Sequence, residues 1–196
     1  MSDNSRDKTL LENISRGDES ALEELVSGFQ SRIINLLYRY TRRSRQDAEE
    51  LAQDVFVRVW NSAGSFRGGS AVSTWIYRIA INLAINHTKK KKLPVFSTDG
   101  YMASQAGGIR REFAVQEPSQ QETLINKDRK EIIEHSMEKL PPSQKTALIL
   151  SRYEGRSYSE ISGIMKVSIP AVESLLFKAK RKLRTVLLPY REKGML

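Results

Sequence analysis

The sequence predicts an all-α protein: two small helical domains joined by a flexible linker, the second with a helix-turn-helix. Apolar residues recur at three- and four-residue spacing through most of the 196 residues, the period of a helix with one buried face. Alternating apolar and polar runs, which mark half-buried strands, are almost absent. From Leu93 to Gln121 the period disappears, and Pro94, Gly100, Gly107, Gly108 and Pro118 stand among scattered Ser and Gln. So long a structureless stretch does not belong inside one compact domain. The expected boundaries are a first domain over 1–93, a linker over 94–121 and a second domain over 122–196.

Each helix has its own signals. Leu10, Leu11 and Ile14 mark a short first helix that should stop at Gly17. Asp18 offers an N-cap to a second, which carries Ala21, Leu22, Leu25, Val26 and Phe29 and continues through Ile33, Ile34, Leu36, Leu37 and Tyr40. The third should begin near Asp47. Its Ala48, Leu51, Ala52, Val55, Phe56, Val59 and Trp60 form a stripe that must face a core. Gly64, Gly68 and Gly69 intervene before a fourth helix with Val72, Trp75, Ile76, Ile79, Ala80 and Leu83 buried. In the second domain one helix is expected over 124–140, and Pro141-Pro142 stops it and opens another with Ala147, Leu148 and Leu150 inward, ending at Gly155. A short helix from Ser157 to Met165, a turn at Lys166-Val167-Ser168 and a long helix from about Ile169 to Leu188 form a helix-turn-helix pattern. Pro170 fits the first turn of that last helix, where its missing N–H is not needed.

Composition narrows the chemistry. Lys and Arg number 32 against 23 Asp and Glu, a formal charge of +9, and the pI near 9.8 favours a polyanionic partner. Without cysteine there is no disulfide, thiolate zinc site or cysteine nucleophile. His87 and His135 lie on separate segments without ligand spacing, so both read as non-catalytic. No apolar run approaches the roughly 20 residues of a bilayer span, and the start from Met1 to Asp7 lacks a signal-peptide core. The expected place is the cytoplasm, with no direct membrane insertion. No catalytic residue, metal or cofactor is expected, and the chain does not read as an enzyme.

Three surfaces could carry function. On the third helix Glu50, Asp54 and Val57 share a face, with Gln53 beside them, away from the apolar stripe. Glu50 and Asp54 could be paired carboxylates, but nothing completes an acid–base or metal site, and an exposed Val57 among polar residues hints at a protein contact. On the fourth helix Arg78, Asn82 and Asn86 repeat at four-residue spacing, with Lys89 and Lys90 a turn further on. Such a donor-rich row suits a nucleic-acid backbone, and asparagines pair with unstacked base edges. Phe66, Arg67, Trp75 and Tyr77 precede or begin it. Trp75 falls in the buried stripe, so Tyr77 is the aromatic expected to be exposed for stacking on splayed bases, with Phe66 in the loop. On the last helix Val172, Leu176, Ala179 and Leu183 form the buried row, while Ser174, Phe177, Lys178, Arg181 and Lys182 lie elsewhere. Six cations and no acid lie between Lys178 and Arg191, and the preceding short helix and turn favour a recognition helix over a merely solvated one.

These residues together resemble the extracytoplasmic-function (ECF) group of the bacterial sigma-70 family. In the first domain the resemblance rests on Asp47 to Phe56 with Val59-Trp60, then Ser65 to Gly68, then Thr74 to Ala80 with Asn82. In the second it rests on Leu140-Pro141, Tyr158 to Ile161, and Val172 to Ser174 leading to Lys178-Ala179-Lys180. It covers nearly the whole chain.

The resemblance implies a sigma factor that binds core RNA polymerase and directs promoter-specific initiation. It implies that Glu50, Gln53, Asp54 and Val57 dock on the clamp of the largest subunit, while the second-largest subunit's flap is a further contact. It implies −10 contacts from Phe66, Arg67, Tyr77, Arg78, Asn82, Asn86, Lys89 and Lys90. Asn82 would capture a flipped base from a break in the helix, where the periodicity alone keeps the helix continuous. Ser174, Phe177, Lys178 and Arg181 would contact the −35 element, and an anti-sigma factor in a stress or envelope response would cover the docking surfaces. Lys166 stands where the family commonly has glycine, at a left-handed turn costing a non-glycine residue about 1 kcal/mol. Glu173 and Leu175 replace basic residues of many relatives, so the −35 preference does not transfer. A stand-alone duplex-binding regulator and a metal-dependent nuclease built on Glu49, Glu50 and Asp54 are the alternatives. The second surface, Phe66 to Lys92, argues against the first, and the missing histidine partners argue against the second.

Overall fold

The computed structural model describes residues 4–41, 44–90, 129 and 131–195, so the expected linker over 94–121 and the lysines at 91 and 92 lie outside the described residues. The helices are α1 (Asn4–Ser15), α2 (Glu19–Tyr38), α3 (Arg45–Ser62) and α4 (Val72–Lys90). After them come α5 (131–138), α6 (Pro142–Arg152), α7 (Tyr158–Met165) and α8 (Ile169–Glu192). A short 3-10 turn over Ala63–Ser65 follows α3. Among the described residues no strand occurs, and no helix is long and apolar enough to cross a membrane.

Local chemistry sets the ends. Asp18 accepts from the Ala21 N–H and caps α2. Its neighbour Ser20, with Ala21, holds the Asp18 carboxyl below its usual range. Ser44 caps α3 through the Asp47 N–H, so α3 starts at Arg45, two residues ahead of the expected Asp47. The first N–H of α4, on Val72, donates to Oδ1 of Asn4, 3.0 Å away, so α1 supplies a cap for α4 from the far end of the domain. Ser157 and Glu160 close a reciprocal capping box at the start of α7. Burial works against ionisation of Glu160, yet Arg156 and the Ser157 N–H and hydroxyl hold its carboxyl below the usual range. At the far end α8 passes through Pro189 to Glu192, beyond the expected Leu188. Thr185 and Pro189 are exposed, so water can serve the carbonyl that proline leaves without a donor.

Two groups of helices emerge. In the first, α2 packs against α1 and α3, and α4 against α3, burying Leu25, Phe29, Ile33, Leu36, Leu37, Val55 and Ile76. In the second, α8 packs on α6 and α7 through Val172, Leu176 and Ala179, against Ile149, Leu150, Ile161 and Ile164. The two groups also meet, where α4 packs on α7.

The α7–α8 turn carries Lys166 at φ 54° and ψ 47°, the left-handed conformation, with its N–H on the Ser162 carbonyl. Its exposed side chain does nothing to relieve the Cβ crowding. Lys166→Gly is therefore expected to raise unfolding free energy by about 0.5–1 kcal/mol in a urea titration, the unfolded-state entropy of glycine offsetting part of the gain.

Candidate nucleic-acid interface

The last two helices build one surface. Ser168 caps α8 by accepting from the Ala171 N–H, and the buried row Val172, Leu176, Ala179 fixes its rotation. That rotation leaves Ser174, Phe177, Lys178 and Arg181 exposed on the outer side, Phe177 at 66%. So exposed an aromatic, beside Lys178 and Arg181, contributes nothing to its own core. Glu173 is exposed on the same helix, and Leu175 is half-buried against the core.

The fourth helix builds a second surface, in a form that differs from one expectation. From Val72 to Lys90 the helix is continuous, so no break occurs at Asn82. Arg78, Asn82 and Asn86 therefore stand in one row, as the periodicity predicts and against the break that the resemblance implies. Asn82, Asn86 and Lys89 are exposed, while the side chain of Lys90 lies outside the described residues. Arg67 is exposed in the loop before α4. Phe66 is half-buried and stacks at a tilt on Trp75, centroids 5.5 Å apart. Trp75 is thus partly buried rather than fully in the core.

Tyr77 corrects an expectation outright. It is 0% exposed, not open for stacking. Its hydroxyl donates to Oε2 of Glu154 at 2.8 Å, and the Arg156 guanidinium lies 4.4 Å from its ring centroid. Burial pushes the hydroxyl up to about 12, so it stays protonated and keeps donating at neutral pH. Arg78 is also engaged, its Nη2 donating to the Gly163 carbonyl at 2.7 Å. The sequence showed the row but not these partners, which lie 77 and 85 residues further along.

On α3 the third surface is in place. Glu50, Gln53, Asp54 and Val57 are all exposed, Val57 at 57%, and Glu50 accepts from Nε2 of Gln46 at 3.1 Å. The opposite side of α3 is anchored by Ala48, Leu51, Ala52, Val55, Phe56 and Val59. Among the described residues no group of three or more His, Asp or Glu is placed to hold a metal ion.

The structure thus combines, in one chain, a helix-turn-helix with a cationic outer face and a helical group that presents a donor-rich row on α4 and an acidic exposed face on α3. Comparison with known proteins makes the class specific. The family description "Sigma-70 region 2" matches residues 25–93 and "Sigma-70, region 4" matches residues 130–183. The chain is 33% identical to the RNA polymerase sigma-H factor of Pseudomonas aeruginosa, over 94% of this chain and 95% of that protein. It is 30% identical to the ECF RNA polymerase sigma-E factor of Escherichia coli, over 92% and 93% of the two chains. The chain belongs to the sigma-70 family and, within it, to the ECF sigma factors. Among solved structures, CnrH in complex with the cytosolic domain of CnrY shares the fold, with a TM-score of 0.64 at 18% identity over 93% of this chain and 97% of that one. So does the sigma factor RpoE of Bartonella quintana in complex with the anti-sigma factor NepR, with a TM-score of 0.58 at 19% identity over 84% and 95%.

Proposed function

We propose that this ECF sigma factor binds core RNA polymerase and directs it to promoters through three separate surfaces. The observation that carries the reading is the coexistence, in a member of this family, of a cationic helix-turn-helix face on α8 and a second donor-rich row on α4. A duplex-binding regulator has no use for the second. In this reading residues 1–93 dock on the polymerase and engage the −10 element, 94–121 connect, and 122–196 read the −35 element. Glu50, Gln53, Asp54 and Val57 meet the clamp of the largest subunit, and the second domain meets the flap of the second-largest.

Phe66, Arg67, Arg78, Asn82, Asn86, Lys89 and Lys90 serve the −10 element, with Asn82 taking a flipped base, while Tyr77, buried beneath Arg156 and bonded to Glu154, has no part in it. Ser174, Phe177, Lys178 and Arg181 enter the major groove at −35. The fold shared with a sigma factor solved in complex with an anti-sigma factor supports a partner of that kind here, covering the docking surfaces in the cytoplasm until a stress signal releases them. The reading requires no chemistry from the chain itself.

Run-off transcription from fragmented genomic DNA, with purified core polymerase and with or without this protein, tests the reading. Discrete transcripts that require the protein are expected. A core that gains no specific starts, while the protein alone shifts a duplex fragment, would replace the sigma reading with that of a regulator. Lys178→Ala is expected to reduce promoter affinity a few-fold and to lower the slope of log affinity against log salt by about 1, as loss of one phosphate contact does.

A further inference from the structure

We propose that α1 is a splint across the loop that carries Phe66 and Arg67, and that Asn4 is a positioning residue for the −10 element. The proposal rests on the −10 reading above and adds to it a residue that itself touches no DNA.

The loop has little to hold it in its middle. Between the 3-10 turn and α4, Arg67, Gly68 and Gly69 are exposed, and a Cβ added to either glycine would meet nothing within 4 Å. Gly68 sits at φ 70°, a conformation that glycine adopts freely. The course of such a loop is set by whatever fixes its two ends.

α1 reaches both ends. At its last residue, the Cβ of Ser15 lies 3.9 Å from where a Cβ on Gly64 would stand, so the 3-10 turn rests against it. At its first residue, Oδ1 of Asn4 accepts from the Val72 N–H at 3.0 Å. The 12 residues of α1 separate these two contacts by about 17 Å, at about 1.5 Å per residue. Without the splint, the chain from Gly64 to Val72 can extend to about 28 Å. α1 is itself fixed, because Leu11 and Ile14 are buried and Nη2 of Arg6 pairs with Oε1 of Glu24 on α2 at 2.6 Å.

α4 has no local substitute for Asn4. Ala71 stands at its N-cap position, with its carbonyl accepting from the Trp75 N–H at 3.2 Å, and its side chain has no acceptor. Phe66 stacks on Trp75, so a shift in the start of α4 carries Phe66, and Arg67 next to it, along. Val72, Ile76 and Ala80 are fully buried and keep α4 in the core. Loss of the Asn4 side chain therefore frees the end of the loop without unfolding the helix.

The test uses the full-length protein with core polymerase and a promoter carrying 2-aminopurine in the −10 element. Asn4→Ala is expected to slow promoter opening about fivefold while core affinity stays within about twofold of wild type. Asn4→Asp, which keeps the acceptor oxygen, should open the promoter within about twofold of wild type. Ala71→Ser supplies α4 with a local cap but no link to α1. Added to Asn4→Ala, it should restore the melting temperature and leave opening slow. In a double-mutant cycle, Arg67→Ala should cost at least threefold less in the Asn4→Ala background than in the wild-type chain, since Asn4 acts through the loop.

Wild-type opening by Asn4→Ala, no rescue by Asn4→Asp, full rescue by Ala71→Ser, or an equal cost of Arg67→Ala in both backgrounds would each overturn the splint and leave the sigma reading intact. Wild-type protein that directs no specific transcripts from core polymerase would overturn the sigma reading and the splint with it.

Discussion

Replacing Gln53 and Asp54 together by alanine is expected to weaken core polymerase binding about tenfold, and adding Val57→Asp to weaken it on the order of 100-fold. All three residues are exposed on α3, and the helix is held from its other side by six buried apolar residues. The surface is therefore rigid, and removing its side chains does not disturb what positions it. Exposed substitutions of this kind change stability by no more than about 0.5 kcal/mol, so helix content and melting temperature should stay put. Val57→Asp costs as much as the other two together because an exposed apolar side chain gains most from being covered, and a buried carboxylate in its place would be stranded. Each tenfold step corresponds to about 1.4 kcal/mol. A fluorescence titration of labelled protein with core polymerase reads the affinity, and circular dichroism controls for folding. Undiminished affinity of the triple variant would remove α3 from the docking surface. Glu50 is a weaker probe, since Gln46 already engages its carboxylate.

What the sequence showed, and what it hid, follows from the range of each interaction. Helix faces are local, so the buried rows of α3 and α8 follow from spacing alone and the Asp18 cap from its residue type, whereas the left-handed turn at Lys166 was expected only from the family resemblance. The start of α3 falls two residues before Asp47, because the Ser44 side chain accepts from the Asp47 N–H and caps the helix there. The cap that Asn4 gives Val72 spans 68 residues and has no local signature. Tyr77 was misjudged for the same reason. It sits between Ile76 and Arg78 on a helix whose first-domain core is one side only, and its burial is completed by Glu154 and Arg156 from the other helical group. Spacing specifies which residues share a face, whereas the partner of that face is set by tertiary contacts of long sequence separation. The exposed face of α3 was legible in the spacing, including Val57, an apolar residue in a polar row. The contact between the two helical groups had no equivalent signal.

The other large effect is expected at Asn82. Asn82→Ala should slow promoter opening by on the order of tenfold to 100-fold while changing initial promoter binding no more than about twofold. An asparagine offers a donor and an acceptor to one base edge, and such a bidentate pair is worth about 1–3 kcal/mol. That energy is available only once the base has left the stack, so its loss should appear in the opening step and not in the encounter. The continuous α4 gives the test its force. Because Asn82 projects from an unbroken helix one turn beyond Arg78 and one turn before Asn86, the three share one edge of that helix, on which Asn82 and Asn86 are exposed. If Asn82 merely tracks the backbone, Asn82→Ala and Asn86→Ala should cost the same, and both should weaken initial binding. If Asn82 holds a flipped base, Asn86→Ala leaves opening nearly unchanged, and a template carrying an abasic site at the captured position erases the difference between wild type and Asn82→Ala. Stopped-flow fluorescence of a 2-aminopurine placed in the −10 element separates the two steps. Equal losses in both would assign Asn82 to the phosphate backbone.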